Sequence, residues 1–451
     1  MVNLVVSLYT HFFRMHDNIC LLYNSESNSF FKVSEEIFDY IEKIAEGKYT
    51  SINQETKELL IKHNIIIPEN KKYSYYNRVK LMNCMDRFYS SKLTLNIIPT
   101  TCCNFSCSYC FEKNKTNYTI TDDIIDSLIP FINKNERIKK LSLMWYGGEP
   151  LLAFGKIKQI LSRFDNEVQI PIGSHSIITN GYLFDQKVVD FFKIHPLTEI
   201  QITLDGNENE HNQKRFTRTD KHTFSKIINN IDLILNELPN THVFIRINID
   251  ESNKTSFQSL YEQLYKRWDG KRFSIYPGFI RIENAQETQM ISPSIFGDSR
   301  RNFFLSLEEK GIEVDFYPTI REKACSAVRM NSYIIGPEGE IYKCWNDVSN
   351  KNKIIGYINN KKLTNVDLLA KYMVDSTIFE DAKCRECFFF PICGGGCPQY
   401  RIQNKYENGN YDLCAVRNDK KDDKQYLTFC LEKHYHKIKG TEQSIMIQND
   451  L

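Results

Sequence analysis

No stretch of this 451-residue chain stays apolar for the roughly 18 residues that a membrane-spanning helix needs. Its first residues, Val2-Asn3-Leu4-Val5-Val6-Ser7-Leu8-Tyr9, are soon broken by His11, Arg14 and Asp17, with no basic leader and no small-residue cleavage site. No membrane and no secretion signal is therefore expected, and the expected location is cytoplasmic. An excess of one charge is missing too. Lys and Arg number 58 against 56 Asp and Glu, which argues against a broad nucleic-acid or anionic-membrane surface as the main partner. Cysteine is absent between Cys110 and Cys325, yet the chain holds 14 of them. A reducing compartment keeps such thiols free and turns the expectation from disulfides to metal or catalysis.

Ten of the 14 cysteines fall in two sets. Three form Cys103-x3-Cys107-x2-Cys110, and seven lie from Cys325 to Cys414. From residue 91 to about residue 312 strand and helix patterns alternate. Strands are expected at Leu93–Ile98, Leu141–Trp145, Ser176–Thr179, Ile200–Leu204, Val243–Ile249 and Phe273–Phe279, with amphipathic helices such as Ile124–Ile132 and Phe224–Leu235 between them. Repeated βα units imply an α/β fold with a parallel sheet, doubly wound or curled into a barrel. The polar and glycine-containing segments follow strands, where α/β proteins place their sites.

Residues 1–90 read as a small unit of strands Ile19–Tyr23 and Ser29–Val33, a helix capped by Ser34, a second helix near Asn53 to His63, and an edge strand Ile65–Pro68. Lys71 to Ser91 reads as a polar, tyrosine-rich linker. Beyond residue 312 regular alternation fades. Helices are expected at Arg301–Asp315 and Asn359–Ala370, in a region that otherwise relies on metal to hold its loops.

Thiolates suit iron–sulfur clusters. Three on one short loop can hold three irons and leave the fourth open to chelate a small molecule. A zinc loop remains an alternative on the residues alone. Gly147-Gly148-Glu149-Pro150 follows the second strand, where glycine lets backbone come close and a carboxylate can receive an ammonium group.

With these motifs the chain resembles the radical S-adenosylmethionine (SAM) superfamily. The resemblance implies a partial (β/α)6 TIM-like barrel, with Cys103, Cys107 and Cys110 holding the catalytic four-iron cluster. It implies that Gly147, Gly148 and Glu149 hold the SAM amino group and that Tyr109 lies near adenine. Thr179-Asn180-Gly181 and Asp205-Gly206 look like the later strand-end loops near ribose and carboxylate. Arg215 resembles a carboxylate-binding arginine, although His211-Asn212 stands where relatives often carry His-Asp.

The second set resembles the SPASM extension of radical SAM peptide-modifying enzymes, expected over 313–451. By that resemblance Cys325, Cys344 and Cys397 serve one auxiliary cluster, and Cys384, Cys387, Cys393 and Cys414 a second, giving three [4Fe-4S] clusters in all. The first auxiliary set is one ligand short, leaving room for a substrate thiolate or for Cys430. Residues 1–90 resemble the winged-helix-like (PqqD-like) peptide-recognition element of ribosomal-peptide maturases. They hold 11 basic and 11 acidic residues, without the excess that DNA binding needs.

The implied function is hydrogen abstraction from a precursor peptide bound by its leader, served by a flavodoxin- or ferredoxin-type reductant and closing a crosslink, with a Cys thioether expected. The alternatives are formylglycine formation of the anaerobic sulfatase-maturase kind, carbon–carbon crosslinking, epimerisation, or a metal-binding scaffold without catalysis. Against the maturase stands Trp345, where that group usually has an aspartate after the cysteine; Asp347 lies further on.

Overall fold

The computed structural model describes residues 3–48, 50–107, 109–110, 117–134, 136–249, 253, 255–279, 304–309, 312, 316–321, 325–360, 363–411, 413–414 and 424–439. The expected helix at Arg301–Asp315 lies partly outside them; residues 304–308 are helical. The chain divides into two compact units, each drawn from separated stretches. One comprises Met1–Asp86, Ser292–Cys325 and Asp375–Leu451, the other Arg87–Ile291 and Ser326–Val374.

In the first unit β1 (Leu4–Val6) pairs antiparallel with β5 (Ile66–Pro68). Strands β2 (Thr10–Arg14), β3 (Cys20–Asn24) and β4 (Ser29–Val33) form an antiparallel sheet in that order. The β3–β4 turn is built by Asn24, whose side-chain oxygen accepts from the backbone of Glu26 and Ser27. Asn28 turns left-handed at φ 52°, which asparagine tolerates better than most residues.

Helix α1 (Glu35–Ala45) starts where Ser34 accepts from the Ile37 N–H. Helix α2 (Gln54–Lys62) is capped in the same way by Asn53. Leu22 and Phe31 pack with Ile37, Ile41 and Leu60. Leu21, Tyr23 and Phe30, on alternate positions of the same strands, pack instead with Phe388, Phe389 and Leu431. A strand buried on both faces reads as a continuous apolar run, hence Cys-Leu-Leu-Tyr.

The expected linker is largely a helix, α3 (Ser74–Phe88). Its Tyr75 and Tyr76 are buried in a cluster with Tyr9, Phe379 and Phe390. Partners some 300 residues away, rather than a strong apolar stripe, place it here.

In the second unit six strands run parallel in sequence order: β6 (Lys92–Ile97), β7 (Lys140–Trp145), β8 (Ile172–Thr179), β9 (Glu199–Leu204), β10 (His242–Ile249) and β11 (Phe273–Phe279). They are joined through α4 (Asp122–Asn133), α5 (Phe154–Glu167), α6 (Gln186–Ile194), α7 (Glu208–Lys214), α8 (Thr223–Glu237) and α9 (Phe257–Arg267). Ile200, Ile202 and Leu204, like Val243, Ile245 and Ile247, alternate on the buried face.

Residues 326–374 extend the same sheet. β12 (Ser332–Ile335) lies parallel beside β6, followed by antiparallel β13 (Glu340–Tyr342) and β14 (Gly356–Tyr357). The result is a nine-stranded, mostly parallel sheet whose strand ends carry the site. No helix among the described residues is long and apolar enough to cross a membrane.

Candidate functional site

The loop after β6 carries Cys103, Cys107 and Cys110, and neighbouring strand ends are braced against it. From the β7 end, the backbone of Gly148 donates to Thr100 O at 3.2 Å and that of Glu149 to Cys102 O at 2.8 Å. An added Cβ on Gly147 would stand 2.3 Å from Thr100 O, and one on Gly148 2.3 Å from Cys102 O. These glycines let two loops of the chain close on one another.

From the β8 end, Asn180 donates to the Asn104 side-chain oxygen at 2.8 Å. Past β9, Arg215 Nη1 donates to the Tyr109 hydroxyl at 2.9 Å, and its guanidinium lies over Phe105, 5.5 Å from the ring centre. On β10, Asn248 Nδ2 donates to the same hydroxyl at 3.1 Å and to Asp205 Oδ1 at 3.1 Å. Tyr109 is thus a hydrogen-bonding post for two side chains.

Glu149 is fully buried. Its carboxylate accepts from the Thr179 hydroxyl (2.7 Å), Asn180 N (2.8 Å) and Leu151 N (3.1 Å). Burial pushes its pKa up against the pull of those three donors. The carboxylate ties the β7 and β8 loops together.

Asp205 is likewise pushed up by burial, opposed chiefly by Arg215, whose Nη1 is 3.9 Å from Asp205 Oδ1. Burial would lower the Arg215 pKa, but Tyr109, Cys107 and Asp205 hold it above the usual arginine value. Buried His211 is driven well below its usual pKa, so it is neutral. Its Nδ1 stands 3.3 Å from the Asp205 N–H as acceptor.

The donor set fits an iron–sulfur cluster with a polar ligand beside it. No cysteine among those described is in a disulfide. The Cys103 thiol is pushed up to about 12, first by burial and then by Glu149 and the other two loop thiols. Such a thiol becomes a ligand when a metal replaces its proton.

Among the described residues no group of three or more His, Cys, Asp or Glu closes on a single-ion site. A four-iron cluster places its thiolates on different irons, so its ligands do not crowd round one point. Around the loop, Asp205 Oδ2, Asn248 Oδ1, Arg215 Nε and His211 Nε2 are buried without a hydrogen-bond partner, a costly state that a bound polar molecule relieves. Asn248 was missed from sequence. The signal was available: an asparagine at the carboxyl end of the otherwise largely apolar strand Val243–Ile249.

In the other unit, Cys384, Cys387, Cys393 and Cys414 line one cavity together with Asp381 and Arg401. Burial pushes the Cys384 thiol up to about 12, with Asp381 adding to the rise. Cys397 stands at the N-cap position of helix α10 (Pro398–Tyr406) and is not among the residues lining that cavity. Cys325 is exposed. Cys430 is buried on helix α11 (Gln425–Ile438). Cys344 belongs to the sheet unit, just before Trp345, whose ring packs 4.3 Å from Tyr146.

Strand-end loops gathered around a three-cysteine loop, on a mostly parallel sheet, agree with what comparison finds. Residues 97–264 match the model of the Radical SAM superfamily, and the chain carries a radical SAM domain with that α/β fold. Among curated proteins it is similar to the cysteine-type anaerobic sulfatase-maturating enzyme of Clostridium novyi (strain NT), 23% identical over 338 residues, covering 69% of this chain and 88% of that one. It is also similar to the radical SAM cyclopropyl synthase TigE of Paramaledivibacter caminithermalis, 24% identical over 263 residues, covering 51% and 54%.

Among solved structures, anSMEcpe with bound AdoMet aligns at TM-score 0.59 and 19% identity, over 80% of this chain and 98% of that one. Streptococcus suis SuiB bound to S-adenosylmethionine aligns at 0.52 and 16%, over 91% and 99%. These two likenesses concern the fold.

Proposed function

We propose that this chain is a radical SAM enzyme that installs a crosslink, a Cys thioether, in a ribosomally made precursor peptide. The observation that carries the reading is the three-cysteine loop braced from successive strand ends beside unpartnered buried polar atoms of Asp205, His211, Arg215 and Asn248. Cys103, Cys107 and Cys110 would hold the catalytic cluster. Asp205, Arg215 and Asn248 would present their unpartnered atoms to SAM, while Glu149 sets the positions of Thr179 and Asn180. When bound, the cluster and SAM supply a carbon-centred radical by one-electron reduction, with a flavodoxin- or ferredoxin-type protein as donor.

The auxiliary cysteines would hold two further clusters. A peptide substrate is supported by neighbours solved with peptides: anSMEcpe with AdoMet and a peptide, and SuiB with its precursor peptide SuiA. Leader recognition is assigned to residues 1–90 as a winged-helix-like element. Among the described residues β2 and β4 each pair on one side only, so an extended peptide can add as a strand.

Formylglycine formation is the second reading, favoured by the sulfatase-maturating relatives that cover 69% of the chain. Against it, Asp347 is 1% exposed and accepts from the Tyr372 hydroxyl at 2.5 Å, so it is committed to the core rather than to a substrate proton.

The test is mass spectrometry of the peptide encoded by a short neighbouring reading frame, after incubation with the anaerobically reconstituted enzyme, SAM and reductant. Loss of two hydrogens localised to a substrate cysteine is expected. A carbon–carbon crosslink with every thiol still alkylatable would sink the thioether, and formylglycine would establish the second reading.

A further inference from the structure

Arg401, in the first turns of α10, is buried and aimed at the cavity lined by Cys384, Cys387, Cys393 and Cys414. Its Nε and Nη2 donate to Gly395 O at 3.1 and 2.8 Å. Nη1 pairs with Asp381 Oδ2 at 3.3 Å. Nη2 also lies 3.9 Å from Cys384 Sγ, within reach of a sulfur hydrogen bond.

The guanidinium therefore joins three things: a carboxylate, the glycine loop between two thiols, and a thiol itself. That loop has little freedom. Gly394, Gly395 and Gly396 are all left-handed, and a Cβ on Gly395 would meet Ile378 at 1.7 Å. The cation is thus fixed in place rather than free to swing into solvent.

Resting on the reading that these four cysteines hold an auxiliary cluster, we propose that Arg401 sets the reduction potential of that cluster. It does so by donating a hydrogen bond to the Cys384 sulfur and by placing a buried positive charge beside it. Adding one electron makes a four-thiolate cluster more negative. A fixed cation and an N–H···S bond favour that reduced state, and both are levers by which proteins tune such potentials. Asp381, in contact with Arg401, opposes it. The electron comes from the substrate radical in turnover, or from dithionite in the test. Arg401 is a positioning residue: it touches a ligand, not the substrate.

The experiment is an EPR-monitored dithionite titration of the reconstituted C103A/C107A/C110A protein, following the signal that C384A/C387A removes, with iron counted for every variant. Arg401→Gln should disfavour reduction at least tenfold, a downward shift of about 59 mV for one electron. Arg401→Lys, which keeps the charge but not the fork, should fall between. Asp381→Asn should shift the potential upward.

Unchanged potentials at full iron content overturn the proposal. If Arg401→Gln sheds iron, Asp381→Asn decides alone, and its failure to raise the potential overturns the proposal as well. Wild-type protein with about four irons and no signal sensitive to C384A/C387A would instead remove the auxiliary cluster itself, a failure of the underlying reading that iron counting separates from the first.

Discussion

Gly148→Ala tests the clasp between the β7 loop and the cysteine loop. The added methyl would sit 2.3 Å from Cys102 O and 2.4 Å from Thr101 O, where real Cβ atoms stay beyond 3.0 Å. Both obstacles are backbone, so neither can rotate away, and the loops must part by about 0.7 Å, the gap between those distances. Parting them stretches the bonds from Gly148 N to Thr100 O and from Glu149 N to Cys102 O, each contributing about 0.5–1.5 kcal/mol. Melting should therefore fall by several degrees, at about 2–4 °C per kcal/mol for a unit of this size.

The larger effect is on geometry, since a misplacement of about 1 Å can cost about 100-fold in rate. We expect 5′-deoxyadenosine formation, measured by chromatography on anaerobically reconstituted protein, to drop about 10- to 100-fold with most iron retained. Gly155→Ala is the control. Gly155 lies in the first turn of α5 with nothing within 4 Å of its added Cβ, and the change should leave the rate alone. A Gly148→Ala enzyme cleaving SAM at the wild-type rate would refute the clasp.

Other outcomes follow from the same geometry. C103A/C107A/C110A should remove about a third of roughly 12 irons per chain and all SAM cleavage; persistent 5′-deoxyadenosine would show the wrong loop had been chosen. Deleting residues 1–90 should cost more than peptide modification. It strips Leu21, Tyr23 and Tyr76 from cores shared with Phe388 and Phe390, so iron held by Cys384 to Cys414 should fall too, and full retention would contradict the shared core. His175, pushed down to about 4 by burial, accepts from Trp145 Nε1 at 2.7 Å. Its stabilisation is complete above its unfolded value of about 6.5 and is lost as pH falls through about 4. His175→Gln should flatten the pH dependence of melting in that window.

The six parallel strands were legible because each carries its own period-two apolar pattern between turn signals, and Phe273–Phe279 has the expected bounds. The cysteine and Gly-Gly-Glu loops stand out because each is a contiguous run of residues, and the structure brings the two loops together. What sequence hid was decided by distant partners. Ser74–Phe88 looked like a linker because its tyrosines gain burial only against Tyr9, Phe379 and Phe390. β12 is four residues long and becomes a strand by lying beside β6, some 240 residues earlier. The bracing by Asn104, Asn180 and Asn248 depends on loops meeting in space, which no local spacing announces.

The two-faced strand β3 has a consequence for how the protein is made. Leu21, Tyr23 and Phe30 find their cover in Phe388, Phe389 and Leu431, about 360 residues or more further along the chain. At roughly 5–20 residues per second, translation leaves that apolar face bare for tens of seconds after the rest of the N-terminal segment has emerged. The sheet unit can begin folding in the interval, while the first unit waits for its last third. A nascent chain stalled before residue 388 should therefore depend on a chaperone for solubility.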